Sequence, residues 1–208
     1  LDRSRREPMK RSLGARTLLY PTPVLVIGTW DTAGKPNLMA AAWGGICCSQ
    51  PPCVAVAVRR NRHTCAGLIE HDAFTVSVTS ESLAAEADFT GTVSGAEVDK
   101  FAAAGLTPVA SEIVDAPWPD EFPMVLECTL RHTLEIGVHT QFVGEIMDIK
   151  VEESLLDENG VPDLERLQPI FYDPGRGGYW TTGRWLADAY SLGRRFPDNS
   201  DQPAGRSR

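Results

Sequence analysis

Hydrophobic residues recur along much of this chain with a period of two. Phe74, Val76 and Val78 alternate with Thr75, Ser77 and Thr79, the spacing that turns one face of a β-strand inward and the other outward. The alternation is longest from Val125 to Ile136: Leu126, Cys128, Leu130, Leu134 and Ile136 share a face, and Glu127, Thr129, Arg131, Thr133 and Glu135 take the other. A second long strand is predicted from Thr140 to Val151. It is apolar in both registers at first and then settles into Met147, Ile149 and Val151 against Asp148, Lys150 and Glu152, a change that a bulge near Gly144 accounts for. Val24 to Trp30 is bounded by Pro23 and by the turn Asp31-Thr32-Ala33-Gly34, so it reads as a strand entering a hairpin. After Pro51-Pro52 the chain resumes with Val54, Val56 and Val58 on one face and Cys53, Ala55 and Ala57 on the other.

Helical signals are fewer. They cover Thr64–Glu70, Ser82–Phe89, Ala96–Ala104 with Gly105 as the stop, and Trp185–Ser191. Many strands, few helices and no regular strand–helix alternation predict a mainly β fold, a barrel decorated by a few peripheral helices, and disfavour a doubly wound sheet. A single domain is expected over residues 9–196. Residues 1–8 precede Met9-Lys10 and read as upstream sequence outside the fold, and 197–208 as a polar C-terminal tail.

Composition narrows the function classes. At 208 residues and 42% hydrophobic content the chain can bury one sizeable core, and no run approaches a membrane span. A formal charge of −8 argues against a nucleic-acid surface, which needs a basic stripe. The start carries no secretory apolar region, which predicts a cytoplasmic location. Five cysteines without a zinc-like CxxC pair do not form a disulfide framework. Cys47-Cys48 is open to two readings, a redox pair or metal site, and small apolar residues of the interior. Gly34-Lys35 fails as a phosphate loop, because Gly28 lies one position too far back and Pro36 replaces the required Ser or Thr. No GxGxxG is present, and His63, His71, His132 and His139 show no HExxH spacing, so neither a Rossmann site nor a catalytic metal is expected.

Two stretches suggest a binding site. Asn37 is followed by Met39, by Ala40, Ala41 and Ala42, and by Trp43, and such small side chains let a flat ring approach backbone N–H groups. Arg59, Arg60, Arg62, His63 and Thr64 then crowd one turn before a predicted helix. They supply charge and donors for a phosphate, although a solvated turn would look the same. Trp43, taken alone, reads as core packing before it reads as a stacking platform. His132, on the apolar face of its strand, reads as a core histidine; His139, after Gly137, reads as a residue of the strand-to-strand turn.

The stretch Tyr20 to Thr64, with Val93-Ser94-Gly95, Asp99-Lys100-Phe101, Leu126-Glu127-Cys128 and Gly137 to Glu145, resembles the flavin-reductase-like, FMN-binding split-barrel family, and within it the flavoredoxin branch. The resemblance runs from Met9 to Phe196. It implies an FMN-binding split β-barrel, a homodimer with the flavin at the subunit boundary, and electron transfer through FMN. The residues it implies around the ring are Thr29, Trp30, Asn37, Met39, Ala40, Ala41, Ala42, Trp43, Cys48 and Ser49. Arg59, Arg62, His63 and Thr64 are implied at the phosphate, with Ser94 and Lys100 as further phosphate or ring contacts. His139 is implied near the flavin and nicotinamide region, as the candidate catalytic residue. Val138 stands where many members carry Asp; the flavoredoxin-like branch accepts an apolar residue there. Two activities follow from the resemblance: reduction of flavin by NADH or NADPH, or electron carriage between redox proteins. A flavin-free binding module would make the alanine wall and arginine turn coincidental. One cationic turn without a second adenine-binding segment favours FMN over FAD.

Overall fold

The computed structural model describes residues 10–195; the upstream segment and the tail expected at 197–208 lie outside the described residues. Among these the elements are β1 (Thr22–Pro23), β2 (Leu25–Trp30), β3 (Pro36–Ala41), β4 (Gly44–Ser49), β5 (Pro52–Arg59), α1 (Thr64–Glu70) and β6 (Ala73–Val78). There follow α2 (Ala84–Thr92), α3 (Lys100–Ala104), β7 (Pro108–Ala110), β8 (Pro117–Pro119), β9 (Met124–Ile136), β10 (His139–Val151), α4 (Leu164–Leu167), β11 (Ile170–Asp173) and β12 (Gly178–Thr181). One antiparallel sheet dominates, with strands in the order β3-β2-β6-β9-β10-β5-β4. Its end strands β3 and β4 are joined through Ala42-Trp43, whose Trp43 carbonyl accepts from Ala57 N–H at 2.8 Å. Smaller sheets, β1-β11-β12 and β7-β8, lie beside it.

β2 explains the layering. Leu25 and Ile27 point into the barrel with Val54, Val56, Phe74, Val76 and Phe142, while Val24 and Val26 pack outward with Leu38, Ala87 of α2, Phe101 of α3 and Phe122. A strand buried on both faces needs no polar alternation. Each such fully buried side chain contributes ~1.5–3 kcal/mol.

The bulge expected near Gly144 is present, as a register shift between Val143 and Gly144. Glycine is required there, since a Cβ would stand 2.5 Å from Phe74 Cζ and 2.9 Å from Cys128 Cβ. The same shift overturns the single apolar face expected along β9. Leu130 pairs with Gly144 but His132 pairs with Val143, so two steps along β9 answer one along β10. Past that point the parity reverses. Leu134 and Ile136 therefore leave the core side, pair with Gln141 and His139, and are 56% and 52% exposed. His132 is likewise exposed and is not a core histidine.

Two helices differ from expectation. The one expected from Ala96 begins at Lys100, because the Asp99 side chain accepts from Ala102 N–H at 3.0 Å and caps α3 there; residues 94–98 form a turn on the Ser94 carbonyl. Gly105 ends it at φ 68, as expected. Trp185–Ser191 is not helical, and a short 3-10 turn follows only at Leu192–Arg195. Trp185 and Leu186 are 71% and 79% exposed, and so short a helix is not stable without a packed face. β4 answers to no strand pattern in the sequence, being made of Gly44, Gly45 and residues exposed at the sheet edge.

Candidate functional site

The turn into α1, the turn after α2 and the first residue of α3 converge on a cavity of about 130 Å³. Arg62, His63 and Thr64 line it from the first, Ser94 and Gly95 from the second, Thr90 from the last turn of α2 and Lys100 from α3, with Met39 of β3. The space is that of about four waters at ~30 Å³ each, enough for a phosphoryl group and too small for a tricyclic ring.

Lys100 sets its electrostatics. It is 4% exposed, and its Nζ donates to the Thr90 carbonyl at 2.7 Å. Burial, and then the Arg62 charge, push its pKa down to about 8. Among the described residues neither Lys100 nor Arg62 has a carboxylate within ion-pair distance. An ammonium donates three hydrogen bonds, so Lys100 retains two for a ligand. A buried cation answered only by a carbonyl is costly, and an anion in the cavity would remove that cost.

The neighbouring contacts hold the cavity open. Asn37 Nδ2 donates to Thr64 Oγ1 at 2.8 Å, and Thr64 keeps its own hydroxyl proton to donate. Asn37 Oδ1 is buried without a partner, and a Cβ on Gly95 would collide with it. His63 Nε2 lies 3.3 Å from Asp31 Oδ2. Burial works to raise the Asp31 carboxyl, but Lys35 and Ala33 N–H groups and His63 outweigh it and hold it below its usual value.

Other residues implied by sequence lie elsewhere. Met39 and Ala41 belong to the barrel core, whereas Ala40, Ala41 and Ala42 edge a separate cavity of about 430 Å³ with Asp88, Gly91, Tyr172 and Tyr179. The three alanines thus stay together at one cavity edge while Met39 turns into the barrel, Ala41 touching both the core and the cavity. Tyr179 donates to Asp88 Oδ1 at 2.6 Å across that cavity, and burial and then Asp88 push its phenol up. Trp43 and His139 meet with Gln141, Ile136 and Leu18 around a third cavity, about 400 Å³, on the outer face of the sheet. His139 begins β10 opposite Arg59 and is not in the turn, which is Gly137-Val138. Thr29 is fully buried against α1, its hydroxyl on the Trp30 carbonyl at 3.0 Å. Thr29, Trp30 and Arg59 line none of these cavities, and Arg60 is held by Glu135 at 3.1 Å. Cys48 and Ser49 are exposed on β4. A cavity of about 770 Å³, larger than these three, is formed by Pro21, Pro23, Leu164, Ile170, Phe171, Trp185 and Leu186 and contains none of the implied residues.

The sequence matches the flavin reductase like domain over residues 16–179. The chain belongs to the flavin-reductase-like family. Its split-barrel fold is shared with the flavoredoxin of Desulfovibrio vulgaris (Miyazaki F), 51% identical with a TM-score of 0.85, covering 89% of this chain and all of that one. The flavoredoxin from Methanosarcina acetivorans is 30% identical at a TM-score of 0.82, covering 91% of this chain and 99% of that one. A protein of Archaeoglobus fulgidus, described as uncharacterized, is 34% identical over 148 residues, 70% of this chain and 80% of its own length. Among the described residues of this flavin-reductase-like protein no helix is long and apolar enough to cross a membrane, and no group of three or more His, Cys, Asp and Glu is placed to hold a metal ion. Thr90, Asp88, Tyr172 and Tyr179 escaped sequence reading. Thr90 contributes through a backbone carbonyl, which no side-chain pattern reveals, and the other three meet only because β12 returns beside α2.

Proposed function

We propose that this protein is an electron-transfer flavoprotein with FMN as its redox centre, an oxidoreductase of the flavin-reductase-like type. The observation that carries the reading is buried Lys100, paired only with a carbonyl, in a phosphate-sized cavity beside Arg62, Thr64 and Ser94. These residues would hold the FMN phosphate, with His63 steadied by Asp31 at the rim. A terminal phosphate monoester fits there, and FAD has none. FMN supplies hydride and single-electron chemistry when bound. The chain anchors and orients the cofactor, with Ala40 to Trp43 and His139 as the residues offered to its ring.

A homodimer is part of the proposal. Leu134, Ile136 and Val138 are exposed on the β9–β10 hairpin, next to the cavity that Trp43 and His139 share, and a second copy covering them would lie against the ring-side residues. A single domain over 9–196 is supported by the family match, and a cytoplasmic location by five unpaired thiols. Electron carriage between redox proteins is favoured over nicotinamide-dependent reduction by the 51% identity to a flavoredoxin.

Mass analysis of the chromophore released by heat tests the cofactor: FMN is expected, and recovery of FAD, or failure of the colourless protein to take up FMN, overturns it. Anaerobic addition of NADH to the yellow protein separates the activities. An unbleached spectrum is that of the carrier, and rapid bleaching that of the reductase.

A further inference from the structure

Three of the five cysteines meet at the free edge of the large sheet. Cys48 of β4, the end strand, is the register partner of Cys53 on β5. Partners in an antiparallel pair stand ~4.5 or ~5.5 Å apart at Cα, according to the pair type, and both separations lie within the ~4.4–6.8 Å that a disulfide spans. Their side chains leave the sheet from the same face, and the Cys53 thiol donates to the Pro51 carbonyl of the β4–β5 turn at 3.5 Å. Cys47 is the bulged residue between Ile46 and Cys48; it has no partner in the ladder, and its thiol donates to the Cys53 carbonyl at 3.6 Å.

Exposure separates the thiols. Cys47 and Cys48 face solvent, contrary to the reading of them as interior residues, while Cys53 is 7% exposed. Burial, then the neighbouring Cys48 and Cys47, then Glu145 across the β5–β10 pair, push the Cys53 thiol up. The exposed thiol is the one a small oxidant meets first, and the buried one is placed to resolve the product.

We propose that Cys48 and Cys53 form a reversible dithiol site, closed to a cross-strand disulfide by exchange with a low-molecular-weight disulfide such as oxidised glutathione. The Cys48 thiolate attacks one sulfur of the small disulfide; a bond forms between them, the small S–S bond breaks, and one small thiol leaves. Cys53, giving up its proton, then attacks the Cys48 sulfur, forming the protein disulfide and expelling the second small thiol. Two protein thiols are oxidised, one small disulfide is reduced to two thiols, and the two protons pass to those leaving thiols. A small dithiol reductant reverses the reaction. Closure ties the free edge strand covalently to β5 beside the β4–β5 turn.

The test is disulfide mapping of the full chain after incubation with oxidised glutathione. The expected product has lost two hydrogens, carries a Cys48–Cys53 linkage and returns to the dithiol with excess dithiothreitol. Cys47→Ser should form the same linkage, and Cys53→Ser should stop with one glutathionyl group on Cys48. A wild-type protein that stays reduced, that bonds Cys47 to Cys48, or that accumulates glutathione adducts without an internal bond overturns the proposal. The wild-type map decides this even where a variant fails to fold.

Discussion

Replacing Lys100 with Met should move the flavin-free and FMN-bound proteins in opposite directions. Lys100 is 4% exposed and its pKa is about 8 against an ordinary 10.5. At about 1.36 kcal/mol per pH unit, the flavin-free fold bears roughly 3 kcal/mol for keeping this ammonium out of water at neutral pH. Lys100→Met removes that cost and loses the charge-assisted bond to the Thr90 carbonyl, worth ~1.5–3 kcal/mol. The flavin-free variant should therefore be no less stable than wild type and up to ~1.5 kcal/mol more stable, a rise of up to roughly 0.7 M in urea midpoint at an m value of ~2 kcal/mol/M. FMN binding should weaken by ~1.5–3 kcal/mol, the scale of a hydrogen bond to a charged group, which is about tenfold to hundredfold in Kd. Riboflavin, which lacks the phosphate, should bind within about twofold of wild type. The sign with pH follows. The flavin-free protein binds fewer protons here than the unfolded chain between about 8 and 10.5, so its stability rises across that window. A bound phosphate raises the Lys100 pKa, so FMN affinity falls as pH rises beyond about 8, while riboflavin affinity does not follow this fall. Fluorescence titration of both flavins and urea unfolding of the flavin-free protein measure these quantities. Equal losses for FMN and riboflavin, or a less stable flavin-free variant, would refute the assignment of Lys100 as an uncompensated cation awaiting a phosphate.

Three further outcomes follow from other sites. Gly144→Ala should destabilise the barrel by ~1–3 kcal/mol in urea unfolding, since its methyl group would press on Phe74 and Cys128; an unchanged midpoint would mean that the bulge can slip. His71 has acceptors at both ring nitrogens, Asp115 Oδ2 at 2.7 Å and the Asp31 carbonyl at 3.3 Å, and the Asp115 bond raises its pKa above 6.5 despite burial. Its stabilisation is thus complete below the ordinary histidine value and lost as pH rises through the raised one; His71→Ala should flatten that part of the urea midpoint–pH curve, and a curve of unchanged slope would exclude the histidine as its source. Leu134→Asp with Ile136→Asp should give a folded monomer by sedimentation, because both side chains are more than half exposed in the single chain; a dimer that persists would place the interface elsewhere.

Legibility differed between fold and site for identifiable reasons. The strand-rich architecture and α1 were readable, because period-two alternation and the Thr64–Glu70 run are local properties. β2 was readable as a strand although it is buried on both faces. The helix expected at Trp185–Ser191 was misread since nothing local reveals that Trp185 and Leu186 lack a packing surface. Of the residues implied at the phosphate, Arg62, His63, Thr64, Ser94 and Lys100 come to one cavity and Arg59 does not. Arg59 ends β5 and is paired in register with His139, a placement set by strand register and not by closeness in sequence to Arg62.

By itself the sequence determined the long alternating strands and α1, the turn chemistry of Asp31 to Gly34 and Gly105, and the kind of groups available for an anion, because backbone preference and side-chain charge act over a few residues. Tertiary structure decided which of those groups meet. Lys100 acquires its depressed pKa only when α3 carries it beneath α2 onto the Thr90 carbonyl, ten residues away. Leu134 and Ile136 become surface residues only because a bulge opposite Gly144 inverts the parity of β9. Burial and register are properties of the assembled sheet, so the same residues carry different energies before and after it closes.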